Sequence, residues 1–143
     1  MIRLINILVT FFAGIIGFGL LFLILVLITI KLNSIENNFF ILALPVIFSP
    51  LYEELGRYFS ILIWKIKVSY SFFFGLGWGV LEAIVRYINK GISVSVYPIL
   101  IHVIAAIILC YFINKKKPVL GLLTAIAIHS GYNYLLYFLL GIK

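Results

Sequence analysis

Long apolar runs separated by short polar breaks constrain the fold of this 143-residue chain more than any other feature. Hydrophobic residues make up 65% of the sequence and charged residues only 10%, whereas a soluble domain has about 45–50% and about 25%. This composition excludes a soluble globular domain and a disordered chain. A spanning helix takes about 20 residues, so five spans would leave about 40 residues for loops. We therefore predict a single integral membrane domain, residues 1–143, that functions within or at the bilayer.

Five apolar runs predict an all-α fold, a polytopic bundle of about five transmembrane helices. They cover approximately Leu4–Ile30, Phe39–Trp64, Tyr70–Ile88, Ile92–Ile113 and Val119–Leu140. The first run is too long for a signal peptide and lacks a cleavage site, so we expect a retained span. The second run contains Pro50, and the part before it is too short to span alone. We therefore expect one helix of about 26 residues with a kink near Pro50.

The basic residues predict how these helices are oriented. The net charge is +7, but most of the basic residues flank apolar runs, which indicates topology anchors rather than a nucleic-acid surface. Five spans would put on one side Arg3, Lys65, Lys67, Lys115, Lys116 and Lys117, and on the other Lys31, Lys90 and Lys143. The positive-inside rule then predicts a cytoplasmic N-terminus in a cytoplasmic membrane of bacterial type. The lipid bilayer is therefore the expected partner, and nucleic acid is not.

Ionisable side chains inside the predicted spans are the strongest signal about function. Three of the four glutamates and both histidines lie there: Glu53, Glu54, Glu82, His102 and His129. A charge at the bilayer centre costs at least about 2.5–3.5 kcal/mol on insertion scales. Such side chains are therefore expected to be paired or to have a function.

Helical spacing predicts that these side chains form one polar cluster. Arg57 follows Glu53 by four residues and Glu54 by three, so it can pair with either. The two glutamates are about 100° apart around the helix, so one can pair with Arg57 while the other faces a cavity and takes a different role. The four-residue spacing recurs in Glu82 and Arg86 and in His129 and Asn133.

Purely structural interpretations of the same residues also stay open. The two Glu–Arg pairs could serve only to fix helix packing, and His102 could be an interhelical hydrogen-bonding group. The alternation Gly75-x-Gly77-x-Gly79 lacks the Lys-Ser/Thr of a phosphate loop. We interpret it as close helix packing by small residues, which would bring Glu82 near its neighbours. The sequence contains no His-Glu-x-x-His motif and no Asp, which excludes a zincin site and an aspartyl intramembrane protease.

Two segments resemble known families of intramembrane peptidases. They are Glu53-Glu54-Leu55-Gly56-Arg57-Tyr58 and Phe74-Gly75-Leu76-Gly77-Trp78-Gly79-Val80-Leu81-Glu82-Ala83-Ile84. They are similar to the motifs of YhfC-type membrane peptidases and PrsW proteases, which are relatives of the CAAX-processing and bacteriocin-processing proteases. A histidine helix and a His-x-x-x-Asn motif follow in the same order, so the resemblance covers approximately residues 50–133.

The resemblance implies a peptide or membrane-protein substrate, in which an activated water hydrolyses a peptide bond. It implies a catalytic set of Glu53, Glu54, Arg57, Glu82, His102, His129 and Asn133. In a metal-free version, one of the paired glutamates is the general base and Arg57 holds the other, while Glu82 and His102 orient the water. His129 and Asn133 then donate hydrogen bonds to the oxyanion.

A metal version of the site uses the same residues. His102, His129 and a glutamate would bind zinc and leave one position open for water. We favour the metal-free version, because the sequence lacks a tight ligand pair. Two other functions stay open: a non-catalytic binding, immunity or partner-subunit protein, and a small transporter or proton-relay subunit.

Overall fold

The computed structural model describes residues 2–32, 44–90 and 97–136, with side chains over 3–24, 46–88 and 97–136. Within these ranges the chain is helical and contains no strand. The five α-helices are α1 (Ile2–Leu32), α2 (Ser49–Ile63), α3 (Ser71–Lys90), α4 (Tyr97–Asn114) and α5 (Pro118–Tyr134). This confirms the predicted all-α class with five helices.

Three helical segments are long and apolar enough to cross a membrane: Arg3–Ile24, Val68–Ile88 and Tyr97–Asn114. They correspond to the first, third and fourth predicted spans. The α-helical parts of α2 and α5 have 15 and 17 residues, and π-helical backbone adjoins them at Leu44–Phe48 and at 135–136, where the described residues begin and end. Five complete spans therefore stay a prediction. The predicted span ends at Phe39, Ile92 and Leu140 lie outside the described residues, as does Lys143.

The predicted kink near Pro50 corresponds to a change of helix type. The backbone is π-helical over Leu44–Phe48 and α-helical from Ser49 onward. Pro50 lies in the first turn of α2, just after the π-helical residues, and its missing N–H interrupts the regular hydrogen-bond ladder at this point. The α-helix therefore begins just before the paired glutamates and sets their spacing from Arg57.

Lysine residues in the left-handed conformation end two of the helices. At the end of α2, Lys65 has a φ of 50°, its N–H donates to the Leu62 oxygen at 3.3 Å, and the Ile66 N–H donates to the Ile61 oxygen at 3.1 Å. This is the Schellman arrangement. The end of α4 repeats it at Lys116, with a φ of 58°. Since Pro118 then begins α5, the chain reverses at once and α5 packs against α4.

Close helix contacts at the glycines of α3 hold the bundle together. A Cβ atom at Gly75 would lie 2.6 Å from the backbone oxygen of His102 in α4, and one at Gly77 would overlap the backbone oxygen of Phe11 in α1. The structure thus confirms that the Gly75-x-Gly77-x-Gly79 alternation packs helices. As a result α3 lies between α1 and α4, while α2 packs against α1 and α5 on the other side.

Polar and apolar side chains are distributed as a lipid environment favours. Small and aromatic side chains make up most of the buried core. The core consists of Ala13, Phe18, Ile61, Phe74, Trp78, Ala105, Ala106, Leu109, Cys110 and Ala125. Large apolar side chains cover the outside, such as Ile63 at 71% exposure and Ile88 at 74%. Inside the bundle, Glu53, Glu54, Glu82 and Arg57 are buried, whereas the lysines with described side chains lie exposed near helix ends. This distribution is consistent with an integral membrane protein.

We expect Gly77→Ala to lower the free energy of unfolding by about 1–3 kcal/mol, because the new methyl group overlaps the backbone of α1. Gly131→Ala is the matched control, since nothing lies within 4 Å of its Cβ position. That control should be neutral or stabilising by up to about 1 kcal/mol, because alanine is the better helix former. Unfolding in detergent, followed by helical circular dichroism, measures both. Equal effects would contradict the close contact of α1 and α3.

Candidate active site

Four helices bring the predicted site residues into one buried cluster. They are Glu53, Glu54 and Arg57 from α2, Glu82 from α3, His102 from α4, and His129 and Asn133 from α5. Each of the seven is at most 6% exposed. The structure therefore places together residues that are up to 80 positions apart in the sequence.

Arg57 lies at the centre of the cluster and is fully buried. One terminal nitrogen, Nη1, donates to Oε1 of Glu54, and the other, Nη2, contacts Nδ1 of His102. The ring of Trp78 lies against the guanidinium, with 5.0 Å between the ring centroid and Cζ. A buried guanidinium is tolerated when its fork is hydrogen-bonded and its charge is paired. Of the two glutamates, Glu54 is the one that provides this pairing.

The hydrogen bonds of His102 define its tautomer. A guanidinium can only donate, so Nδ1 of His102 accepts from Arg57 and carries no hydrogen. The hydrogen is then on Nε2, which donates to Oε2 of Glu82. The same carboxylate accepts from Nε of Arg86 at 2.6 Å. This confirms the predicted pairing of Glu82 with Arg86 and adds His102 to it.

His129 has the opposite tautomer. Its Nδ1 lies 2.8 Å from Oε1 of Glu54, and a carboxylate held by Arg57 accepts rather than donates. Nδ1 therefore carries a hydrogen, and in the neutral imidazole the Nε2 lone pair faces Oε2 of Glu53, 3.9 Å away. Asn133 is buried one helical turn further along α5.

Glu53 is held by only one of its two oxygens. The Ser49 hydroxyl donates to Oε1 at 2.6 Å. Oε2 is buried without a hydrogen-bond partner among the described residues. It lies 3.8 Å from Nε2 of His102 and 3.9 Å from Nε2 of His129. Oε2 of Glu54 also lacks a hydrogen-bond partner there, but the other oxygen of that carboxylate is bound to both Arg57 and His129.

Three side chains of the cluster also form a candidate metal site. Glu53, His102 and His129 each offer one ligand atom, and these atoms lie within 4.8 Å of one another. One carboxylate and two imidazoles suit zinc. A ligating imidazole nitrogen needs a lone pair, however, and the Nε2 hydrogen of His102 is donated to Glu82. In this arrangement only Glu53 and His129 present lone pairs, fewer than the three protein ligands of a catalytic zinc site.

Sequence reasoning missed two residues of the site, Ser49 and Trp78. Ser49 precedes Glu53 by four residues, so the spacing rule that pairs Glu82 with Arg86 also finds it. No spacing rule places Trp78 beside Arg57. It is fully buried and packs edge-on against Phe18 of α1, with centroids 5.9 Å apart. That position depends on the close approach of α1 to the glycines of α3.

Comparison of the chain with protein-family models, with curated proteins and with solved structures gives no match. The resemblance to YhfC-type and PrsW-like peptidases therefore stays a prediction.

We expect Arg57→Gln to lower the free energy of unfolding by about 3–5 kcal/mol, because it leaves the buried Glu54 carboxylate without its cation. Arg86→Gln is the matched control. Its side chain is 19% exposed and Glu82 keeps His102 as a partner, so we expect a loss of about 1–2 kcal/mol. Denaturant unfolding in detergent measures both variants. A stable Arg57→Gln protein would contradict the central position of Arg57.

Proposed function

We propose that the chain is an intramembrane peptidase, which hydrolyses peptide bonds of a membrane-associated substrate through a water activated by Glu53. The observation that carries the proposal is the open Oε2 of Glu53, buried beside Nε2 of both histidines. A general base needs a free lone pair within reach of the water that it deprotonates. Glu53 meets that requirement better than Glu54, whose Oε1 is bound to Arg57 and His129.

The spacing of the acceptors suits one water molecule. Oε2 of Glu53 and Nε2 of His129 are 3.9 Å apart, so a water about 2.8 Å from each can donate one hydrogen to each. Its oxygen lone pair is then directed away from both acceptors, towards a substrate carbonyl. Attack forms the new C–O bond as Glu53 takes the proton. The C–N bond breaks as Glu53 returns that proton to the amine nitrogen.

The remaining residues hold this arrangement and stabilise charge. Glu54 and Arg57 fix the tautomer of His129, in the way that a buried carboxylate orients a catalytic histidine. Glu82 orients His102, whose Nε2 lies 3.8 Å from Oε2 of Glu53. We assign Asn133 as the side chain that donates to the oxyanion of the tetrahedral intermediate. Nε2 of His129 accepts from the second hydrogen of the water, which stays on the attacking oxygen and ends on the carboxyl group of the product.

The proposal places the site inside a bilayer. α2 and α5 would complete five spans around the three helices that are long and apolar enough to cross. The excess of basic residues at Arg3, Lys65, Lys67 and residues 115–117 supports a cytoplasmic N-terminus in a bacterial-type cytoplasmic membrane. Complete burial of Arg57 and Glu54 supports the same placement, because charges in hydrocarbon must be shielded by protein.

We expect Glu53→Gln to abolish proteolysis, because an amide cannot accept the proton of the water. The measurement compares new N-termini among membrane proteins of cells that produce the wild type or the variant. Glu36→Gln is the matched control, because Glu36 is the one glutamate that the sequence places outside the predicted spans. That variant should give the same N-termini as the wild type. Cleavage that persists in a folded Glu53→Gln protein would overturn the proposal. Absence of wild-type-dependent N-termini would favour a binding protein or a proton relay.

We expect the protein purified in detergent to contain far less than one zinc per chain, because the Nε2 hydrogen of His102 is donated to Glu82. Elemental analysis measures it, with His102→Ala and His129→Ala alongside. Nearly one zinc per wild-type chain, lost in both variants, would replace the metal-free mechanism with a zinc-dependent one.

A further inference from the structure

A groove of about 660 Å³ lies between the N-terminal half of α1 and the connection from α2 to α3. On the α1 side, Ile5, Val9 and Ile16 line it and are each at least half exposed. On the other side the lining includes two aromatic and two basic residues: Trp64, Tyr70, Lys65 and Lys67. The groove thus has a long apolar wall and positive charge from the connection.

The packing of α1 against α2 defines the depth of the groove. A Cβ at Gly17 would lie 3.1 Å from the Ser60 hydroxyl, and one at Gly56 would lie 3.1 Å from Leu21. The two helices therefore run antiparallel, and the lysines after α2 lie level with the N-terminal half of α1. From Ile5 to Ile16 the helix rises about 16 Å. That is approximately half of a 30 Å hydrocarbon core, the depth of one lipid leaflet.

Positive charge is concentrated at this end of the bundle. The sulfur of Cys110, near the end of α4, lies 3.9 Å from the backbone oxygen of Ile66, so the connection from α4 to α5 is at the same end. The basic residues gathered there are Arg3, Lys65, Lys67, Lys115, Lys116 and Lys117. The three glutamates among the described residues all belong to the buried cluster. This end therefore attracts anions.

We propose that the groove binds one anionic phospholipid, with an acyl chain along α1 and the headgroup phosphate between Lys65 and Lys67. An acyl chain suits an apolar wall that is one leaflet deep. Two ammonium groups favour a headgroup with net negative charge over a zwitterionic one. Trp64 and Tyr70 beside the lysines are residue types enriched at the bilayer interface. The lipid site is independent of the proposed peptidase activity.

Native mass spectrometry of the delipidated protein in neutral detergent tests this proposal. The probes are phosphatidylglycerol and phosphatidylcholine with identical acyl chains. We expect each wild-type chain to bind one phosphatidylglycerol tightly and to bind phosphatidylcholine more weakly. Lys65→Gln/Lys67→Gln should weaken phosphatidylglycerol binding by about 20- to 30-fold. Lys115→Gln/Lys117→Gln removes the same charge at the same end but outside the groove, and should keep the tight site.

A second variant tests the apolar wall without changing charge. Val9 is 62% exposed and lines the groove, so Val9→Trp fills the space while the bundle core stays intact. We expect it to weaken binding of both lipids. Equal affinity of the wild type for the two lipids, equal losses in the two lysine variants, or unchanged binding by a folded Val9→Trp protein would each overturn the proposal.

Discussion

The contact between the Arg57 guanidinium and Nδ1 of His102 determines the arrangement of the other site residues. Because a guanidinium only donates, it places the hydrogen of His102 on Nε2, and that hydrogen is donated to Glu82. The other arm of the fork pairs with Glu54, which in turn accepts from Nδ1 of His129. One buried cation thus fixes two opposite histidine tautomers, and both Nε2 atoms lie near the open oxygen of Glu53.

The fold provides the dry, crowded surroundings that such a network needs. Glycines of α3 let the backbones of α1 and α4 approach closely, and this contact carries His102 to Glu82 and Trp78 to the face of Arg57. In a low-dielectric interior a partly satisfied polar network is costly, whereas a connected one is rigid. Oε2 of Glu53 and Oε2 of Glu54 both lack a hydrogen-bond partner among the described residues, but only Oε2 of Glu53 lies beside Nε2 of both histidines. Such unsatisfied buried atoms need an explanation, and a catalytic role for Glu53 provides one.

The apolar pattern predicted the helices well, because hydrophobic length is read directly from sequence. It did not predict that α2 begins at Ser49 after a π-helical turn, since that depends on Pro50 and on the helices around it. Helical spacing predicted the pairing of Glu82 with Arg86, but it allowed Arg57 to pair with either Glu53 or Glu54. In the structure Arg57 pairs with Glu54, whose carboxylate also binds His129, 75 residues further along the chain. Only tertiary packing brings that histidine into range.

The measurement that tests this account most directly is ¹⁵N NMR of the protein in lipid bilayers, with both of its histidines labelled on the ring. The account predicts two different imidazoles. His102 has a hydrogen on Nε2 and an unprotonated Nδ1. His129 has a hydrogen on Nδ1, and this nitrogen lies close to the carboxyl carbon of Glu54. Two histidines with the same tautomer, or a protonated Nδ1 on His102, would contradict the role of Arg57 and the activation of water by Glu53.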